Sequence, residues 1–404
     1  MNIIDKLKGK NILIWGYGRE GKSTEKFLNK YCDVASVKIF EGNRDGINEE
    51  NFDFIIKSPG IIMNEENPKY TSQTELFLGQ FRDNVIGITG TKGKSTTSAI
   101  LYTVLKECSD RQVILLGNIG RPCLDYFEEI TDDTIVIYEM SCHQLAHTKI
   151  SPHIAVFLNF YEEHLDYYKT VDNYFAAKNN ITNYQTEDDY LFLGIDVPQI
   201  KTNATIIKIY KQRNRKFQLS ILGEHNQYNA EFVYSIAVKF WGLDEKKVLE
   251  SMNNFRGLPH RLEYIGKIDD IFYYDDSIST IPEATISAIN SIINVQTVLV
   301  GGMDRKINYD ILLEFIRQNK QLHFICFYES GKRIYQSVSD CDNCHYVTDL
   351  ESGVLLAKEI TEKGKACILS PASASYGYFK NFEERGDMYK KYVLSDMETG
   401  CEVG

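Results

Sequence analysis

The residues of this chain best suited to chemistry lie in one run, Gly90-Thr91-Lys92-Gly93-Lys94-Ser95-Thr96-Thr97. It follows the apolar segment Val85-Ile86-Gly87-Ile88-Thr89 and opens into the helical pattern Ser98-Ala99-Ile100-Leu101-Tyr102. Strand, glycine loop and helix in that order form a phosphate cradle, in which backbone N–H groups point into the loop and the helix N-terminus adds positive potential. Gly90, Thr91, Lys92, Gly93, Lys94, Ser95 and Thr96 are therefore candidate nucleotide-binding residues. Lys94 is suited to reach the terminal phosphates, and Ser95 to hold Mg²⁺. The spacing departs from the standard loop, because Ile88 occupies the position five before Gly93. Gly90 stands closer behind. The flanking strand and helix distinguish the run from a plain Gly-Lys-Ser turn, and ATP is the expected ligand.

Two further clusters fall at the ends of apolar runs. Ile135-Val136-Ile137-Tyr138 ends in Glu139-Met140-Ser141-Cys142-His143-Gln144, and a later strand ends in Asn159-Phe160-Tyr161-Glu162-Glu163-His164-Leu165-Asp166. A carboxylate at a strand C-terminus beside a phosphate loop is where a Mg²⁺ ligand is needed. Solvated loop charges are the bland alternative, and the repeated placement at strand ends favours metal.

Positioning these groups requires parallel sheets. Lys10 to Trp15 reads as a strand, followed by Gly16-Tyr17-Gly18-Arg19-Glu20-Gly21, a helical stretch to Asn29, and a second strand Val37–Phe40 ending at Glu41. This is a dinucleotide-type fingerprint in its expected context, able to bind a nucleotide's phosphates or to pack a tight turn. Phe54-Ile55-Ile56 then runs into Lys57-Ser58-Pro59-Gly60-Ile61. Segments 113–116, 134–138 and 154–158 are nearly continuous in apolar residues, as strands buried on both faces should be. Further strands are expected at 272–274, 298–300, 324–327 and 366–369, with helices after Pro282, Tyr309 and Leu350. The expected fold is α/β in three domains. Residues 1–83 form a Rossmann-like domain, 84–260 a central P-loop ATPase-type domain, and 261–404 a Rossmann-like C-terminal domain.

The 404 residues are too many for one ordinary core. A net charge of −11 argues against a general nucleic-acid binder. No apolar run approaches the roughly 20 residues that span a bilayer, and the N-terminus lacks the pattern of a signal peptide. A cytoplasmic protein without membrane insertion is expected. Nine scattered cysteines do not suit a disulfide framework. Cys341-Asp342-Asn343-Cys344-His345 matches a haem-attachment pattern, but a polar loop with two reduced thiols is the favoured reading.

The loop Gly90 to Thr97 resembles that of the Mur ligases, the ATP-dependent amide-forming enzymes of peptidoglycan precursor synthesis. The resemblance continues through Gly117-Asn118-Ile119-Gly120, Glu139-x-Ser141, Asn159-x4-His164-Leu165-Asp166 and Ala176-Ala177-Lys178. It takes in Gly223-Glu224-His225-Asn226-x-x-Asn229, Gly257-Leu258-Pro259-His260-Arg261-Leu262-Glu263, Ser370-Pro371-Ala372-Ser373-Ala374-Ser375 and Phe379-Lys380-Asn381-Phe382-Glu383-Glu384-Arg385-Gly386. The Gly257-Leu258-Pro259-His260-Arg261 and Phe379 to Gly386 segments, with Lys57-Ser58-Pro59-Gly60-Ile61, are most similar to the glutamate-adding branch.

The resemblance implies that ATP phosphorylates an alanyl carboxylate of UDP-N-acetylmuramoyl-L-alanine and that an amino group, that of glutamate, attacks the acyl phosphate. It implies catalytic roles for Lys94, His164 and Lys178. Two Mg²⁺ ions would be held by Ser95 and Glu139 and by His164 with Lys178, the last as a carbamylated lysine. Asn226 and Asn229 would contact adenine, Arg261 a phosphate and Asp276 the ribose. Gly16, Gly18, Glu41 and Asn118 would serve the uridine nucleotide, with Ser141 also on the substrate side, and Thr280, Arg305, Ser375 and Phe382 the incoming glutamate. A monomer is expected. The family's Asn-Asp-Ser-Lys-Ala-Thr-Asn stands here as Asp275-Asp276-Ser277-Ile278-Ser279-Thr280-Ile281, so Ile278 replaces a cation near the amino-acid site. Arg305 remains to bind a carboxylate bidentately. D-glutamate is the expected acceptor, with an L-glutamate-adding enzyme, a folylpolyglutamate synthetase and a non-catalytic nucleotide-binding relative as alternatives.

Overall fold

In a computed structural model, the structure describes residues 2–61, 67–119, 121–212, 217–219, 221 and 224–395. Gly120 and Gly223 of the segments singled out above lie outside these residues, as do the side chains of Leu165, Asp166 and Glu224. The chain divides into two compact units, one of residues 1–219 with 224–255 and one of residues 220–223 with 256–404. Among the described residues no helix is long and apolar enough to cross a membrane.

The first unit contains two parallel sheets. Strands β1 (Asn11–Trp15), β2 (Ser36–Phe40), β3 (Phe54–Lys57) and β4 (Tyr70–Thr71) pair in the order β2-β1-β3-β4. Strands β5 (Val85–Thr89), β6 (Val113–Gly117), β7 (Ile135–Glu139), β8 (Ile154–Phe157), β9 (Tyr190–Gly194) and β10 (Thr205–Ile209) pair in the order β10-β9-β8-β5-β7-β6. Every residue of β5, β7 and β8 is buried, which is why their sequences are apolar without alternation. After β5 the chain crosses through helix Lys94–Cys108 to β6, returns to β7, and then places β8 on the other flank of β5. The carboxyl ends of β5, β7 and β8 thus border a topological switch point, where open α/β sheets bind ligands. One apolar core, including Ile12, Leu28, Phe77, Leu116, Tyr138 and Phe157, runs beneath both sheets of this unit.

In the second unit, β11 (Glu263–Ile268), β12 (Ile271–Asp275), β13 (Val295–Gly301), β14 (His323–Phe327), β15 (Cys344–Val347) and β16 (Ala366–Leu369) pair in the order β11-β12-β16-β13-β14-β15. Only β11 runs antiparallel, joined to β12 by a turn in which Asp269 and Asp270 both take positive φ. The expected helices are present as Pro282–Ser291, Asp310–Gln318 and Leu350–Ile360. The reading of residues 341–345 as a polar loop is corrected: Cys344 opens β15, is buried, and lies with its sulfur 3.5 Å from that of Cys326. Both thiols are free.

Two segments that are far apart in sequence dock through a missing side chain. An added Cβ at Gly386, inside helix Phe382–Leu394, would fall 2.1 Å from His260 Nδ1 and 2.5 Å from Asp275 Oδ2. His260 Nδ1 and Asp275 Oδ2 are themselves 2.7 Å apart and buried. Alanine normally gains up to about 1 kcal/mol over glycine in a helix interior. Here we expect the reverse sign, with Gly386→Ala costing about 1–3 kcal/mol through overpacking. Urea unfolding followed by hydrogen exchange over residues 256–395 measures it, and unchanged or increased protection would refute the docking role.

Candidate active site

The loop after β5 is fastened from the β8 side. Asn159, just past β8, accepts from Lys92 N through Oδ1 at 2.9 Å and donates from Nδ2 to Lys92 O at 3.0 Å. Its carbonyl accepts from Thr91 N at 3.1 Å, and Thr91 Oγ1 donates to Tyr161 O while accepting from Tyr161 N. Gly93 takes φ 85° as it enters the helix, and a Cβ there would sit 2.6 Å from Asn229 Oδ1. Asn229 in turn donates to Asn226 Oδ1 at 3.2 Å. The structure therefore brings Asn226 and Asn229, both buried, against the phosphate loop.

Two ammonium groups converge inside this loop. Lys94 Nζ donates to Gly90 O at 2.9 Å and Thr91 O at 3.1 Å, and Lys178 Nζ donates to the same Gly90 O at 2.8 Å. Lys178, near the end of helix Val171–Asn179, is 1% exposed and so is no surface lysine. Burial and the neighbouring Lys94 charge push its ammonium down to about 7. Burial also lowers Lys94, with the Glu139 carboxylate acting in the opposite sense. Glu139 ends β7 completely buried; its Oε1 accepts from Asn118 Nδ2 at 3.1 Å, and its Oε2 has no hydrogen-bond partner among the described residues. A buried carboxylate oxygen with no donor fits a metal ion, since leaving it bare costs on the order of 1–3 kcal/mol or more. Ser95, in the first turn of the helix after the loop, is buried as well.

His164 lies farther out, with φ 58° and Nε2 3.8 Å from Glu163 Oε2. Its ring is 5.7 Å from that of Tyr174, and Lys178 Nζ lies 4.9 Å over the same tyrosine ring. His164 and Lys178 thus both border the Tyr174 ring. Exposed Lys92 pairs with Glu163 at 2.5 Å, so it is drawn away from the loop that Lys94 occupies.

The glycine turn of the first sheet is built for close approach. A Cβ at Gly21 would meet Gly16 O at 2.3 Å, and Ser58 Oγ donates to Gly16 O at 2.9 Å, tying the turn to the segment after β3. Gly18 caps helix Arg19–Tyr31, and Glu41 is exposed just beyond β2. Ser141 caps the short helix Cys142–Leu145 in a reciprocal capping box with Gln144, and Gln144 Nε2 donates to Glu20 Oε1 at 2.8 Å. Glu20 Oε2 is buried without a partner among the described residues, and burial raises this carboxyl although the Gln144 bond opposes it. Lys57 is 4% exposed, donates to main-chain oxygens of Ser58 and Ile61, and is pushed by burial down to about 8. Sequence reasoning assigned no role to Asn159, Gln144, Glu20 or Lys57. The polar residue directly after the apolar run of β8 was the available signal for Asn159.

In the second unit β12, β16 and β13 are neighbours, and the loops at their carboxyl ends carry the remaining expected residues. Asp276 is buried and already engaged: it accepts from Ser279 Oγ at 2.5 Å, Ser370 Oγ at 2.9 Å and Leu262 N at 3.2 Å, and burial raises its carboxyl to about 6. Thr280 is half-buried, Arg305 exposed, Ser375 buried and Phe382 half-buried at the start of its helix. Arg261 precedes β11 and is exposed. His260, Glu263 and Asp275 could form a metal-binding trio. Lys390 already occupies the cation position there, 2.7 Å from Glu263 Oε2 and 3.9 Å from Asp275 Oδ2.

Comparison with known proteins agrees with this geometry. Residues 88–210 match the family model described as Mur ligase middle domain. A UDP-N-acetylmuramoylalanine–D-glutamate ligase of Aquifex aeolicus is 32% identical, covering 94% of this chain and 98% of its own. The ligase of the same name from Streptococcus agalactiae serotype III is 31% identical over 96% of this chain and 98% of its own. In fold, the chain is similar to UDP-N-acetylmuramate-alanine ligase of Thermotoga maritima, with a TM-score of 0.56 at 17% identity, covering 96% and 99% of the two chains. A MurF ligase of Thermotoga maritima in complex with ADP gives 0.54 at 15% identity, covering 98% and 96%. A Mycobacterium tuberculosis folylpolyglutamate synthase gives 0.55 at 12% identity, covering 79% of this chain and 94% of its own. The middle-domain match falls on the sheet that carries the lysine pair, the sequence relatives extend along nearly the whole chain, and the chain belongs to the Mur ligase family.

Proposed function

We propose that the protein is an ATP-dependent, ADP-forming ligase that joins D-glutamate to UDP-N-acetylmuramoyl-L-alanine in peptidoglycan precursor synthesis, acting as a cytoplasmic monomer. Relatives named for this activity extend over 94% or more of the chain. The structural observation that carries the reading is the meeting of Lys94 and Lys178 at Gly90 O, with the bare Glu139 Oε2 at the end of the adjacent strand.

The chemistry needs charge neutralisation and placement more than covalent participation. The alanyl carboxylate attacks the γ-phosphorus of ATP, the bond to the β–γ bridging oxygen breaks, and ADP leaves. The glutamate amine then attacks the acyl phosphate, loses a proton and expels phosphate. Lys94, released from its own loop carbonyls, supplies a point charge to the transferring group. Mg²⁺ neutralises phosphate charge when bound, and Ser95 with Glu139 would hold one such ion. Lys178, as a carbamate, would hold a second with His164. Carbamylation forms an N–C bond from the neutral amine to CO₂ with loss of a proton, and it turns one of two crowded ammonium groups into an anionic oxygen donor. Asn226 and Asn229 are assigned to adenine, Gly16, Gly18, Glu41, Asn118 and Ser141 to the nucleotide-sugar, and Arg261 and Asp276 to the nucleotide's phosphate and ribose. Thr280, Arg305, Ser375 and Phe382 are assigned to glutamate. One observation favours a second acceptor reading, L-glutamate: Ile278 stands where relatives of the glutamate-adding branch are expected to carry a lysine.

Three measurements test this. ADP release dependent on both UDP-N-acetylmuramoyl-L-alanine and D-glutamate is expected; turnover with L-glutamate instead reverses the handedness, and turnover with neither removes the acceptor assignment. Lys94→Ala should lower kcat by about 10³-fold or more, roughly 4 kcal/mol of transition-state stabilisation, with the circular dichroism spectrum unchanged. Near wild-type turnover would sink the role of the loop. Lys178→Ala should lose most activity, regain part of it with added formate or acetate, and lack the carbamate signal that ¹³CO₂ gives in the wild type by NMR. A fully active alanine variant would contradict the carbamate.

A further inference from the structure

The loops that leave β12, β13 and β16 are not organised by the residues assigned to the acceptor. They meet at Arg385, in helix Phe382–Leu394, whose side chain is 0% exposed. Its Nε donates to Ser277 Oγ at 3.0 Å, and one terminal nitrogen to Ser277 O at 2.8 Å. The other terminal nitrogen donates to Ser373 O at 2.9 Å and Gly301 O at 3.4 Å. These acceptors begin or line all three loops: 276–281 with Thr280, 302–309 with Arg305, and 370–381 with Ser375. Ser277 Oγ passes the connection on by donating to Phe382 O at 2.8 Å. Gly302 completes the fit, because a Cβ there would lie 2.3 Å from Ala374 O and 3.0 Å from the Arg385 guanidinium.

Every one of these contacts goes to an uncharged oxygen, and three of the four go to main chain. A guanidinium paired with a carboxylate would fix a side chain; this one fixes the separation of three backbones. A lysine could not do so, since an ammonium is a single point donor and lacks the planar fork. We propose that Arg385 is the positioning residue of the acceptor site, setting affinity for the incoming amino acid through the spacing of these loops without touching it. The inference rests on the reading of these loops as the glutamate-accepting site.

The experiment compares wild type with Arg385→Lys by steady-state kinetics and by hydrogen exchange. The KM for glutamate should rise about tenfold or more and that for ATP by less, since Asp276 of the same loop is assigned to the ribose, while that for the UDP-linked substrate stays within about twofold. The amides of Gly301 and Met303, which donate to Pro371 O and Ala374 O, should exchange faster in the variant without any ligand. Equal changes in all three KM values, an unchanged KM for glutamate, or unchanged exchange at these amides overturns the proposal. Should Arg385→Lys not fold, Ser277→Ala removes the Nε acceptor and the bond to Phe382 O without stranding a charge, and must show the same selective rise, smaller in size. A wild type that ligates no glutamate removes the functional reading alone; the exchange comparison then decides whether Arg385 sets the loop spacing.

Discussion

Two ammonium groups, Lys178 buried and Lys94 half-buried, donate to one carbonyl, Gly90 O, and the rest of the first unit's site depends on that crowding. Like charges held in low dielectric repel strongly, and each is costly to bury. The arrangement is relieved by anions, and everything around it is suited to bring them: a loop of backbone N–H groups, a helix N-terminus, and the bare oxygen of Glu139. Asn159 clamps the loop from outside through both ends of its amide, so relief comes through ligands and not through opening of the loop. An apolar parallel sheet supplies the rigid frame, because β5, β7 and β8 are buried along their whole lengths and end at one switch point.

The second unit solves a different problem with the same fold type. No excess of like charge is concentrated at its sheet edge; its buried charges are interlaced, with Lys390 against Glu263 and Asp275, and Asp275 against His260. Arg385 is pushed by burial down to about 9 and remains protonated at neutral pH. Positioning in this unit comes from hydrogen bonds to main chain and from the absence of side chains at Gly302 and Gly386.

The phosphate loop, Glu139 and the strands flanking them are legible in sequence, because uninterrupted apolar runs followed by Gly, Lys or Glu have few other uses; Lys178 is reached only through the resemblance to the Mur ligases. Most strands of the second unit are legible for the same reason. β10 is not, since its residues are mostly exposed and it lies at the sheet edge. β9 has a readable apolar run, but its place in the sheet depends on pairing with β8. The burial of Lys178 cannot be read from helix Val171–Asn179, whose apolar face is weakly marked. Arg385 is the clearest limit: its partners are carbonyls, which every residue possesses, on segments up to 108 residues away. Backbone acceptors leave no trace in residue type.

The first unit is assembled from two stretches of chain, the second being residues 224–255. This second stretch carries Asn226 and Asn229, the latter lying against Gly93, and its helices pack on helix Lys94–Cys108. During synthesis the phosphate loop therefore leaves the ribosome long before the residues that close over it. Until residue 255 has been made, the loop lacks Asn229 against Gly93 and helix Lys94–Cys108 lacks the helices that pack on it. That packing is the last step in completing the unit, and a nascent chain cut short at residue 219 carries the sheet without Asn226 and Asn229.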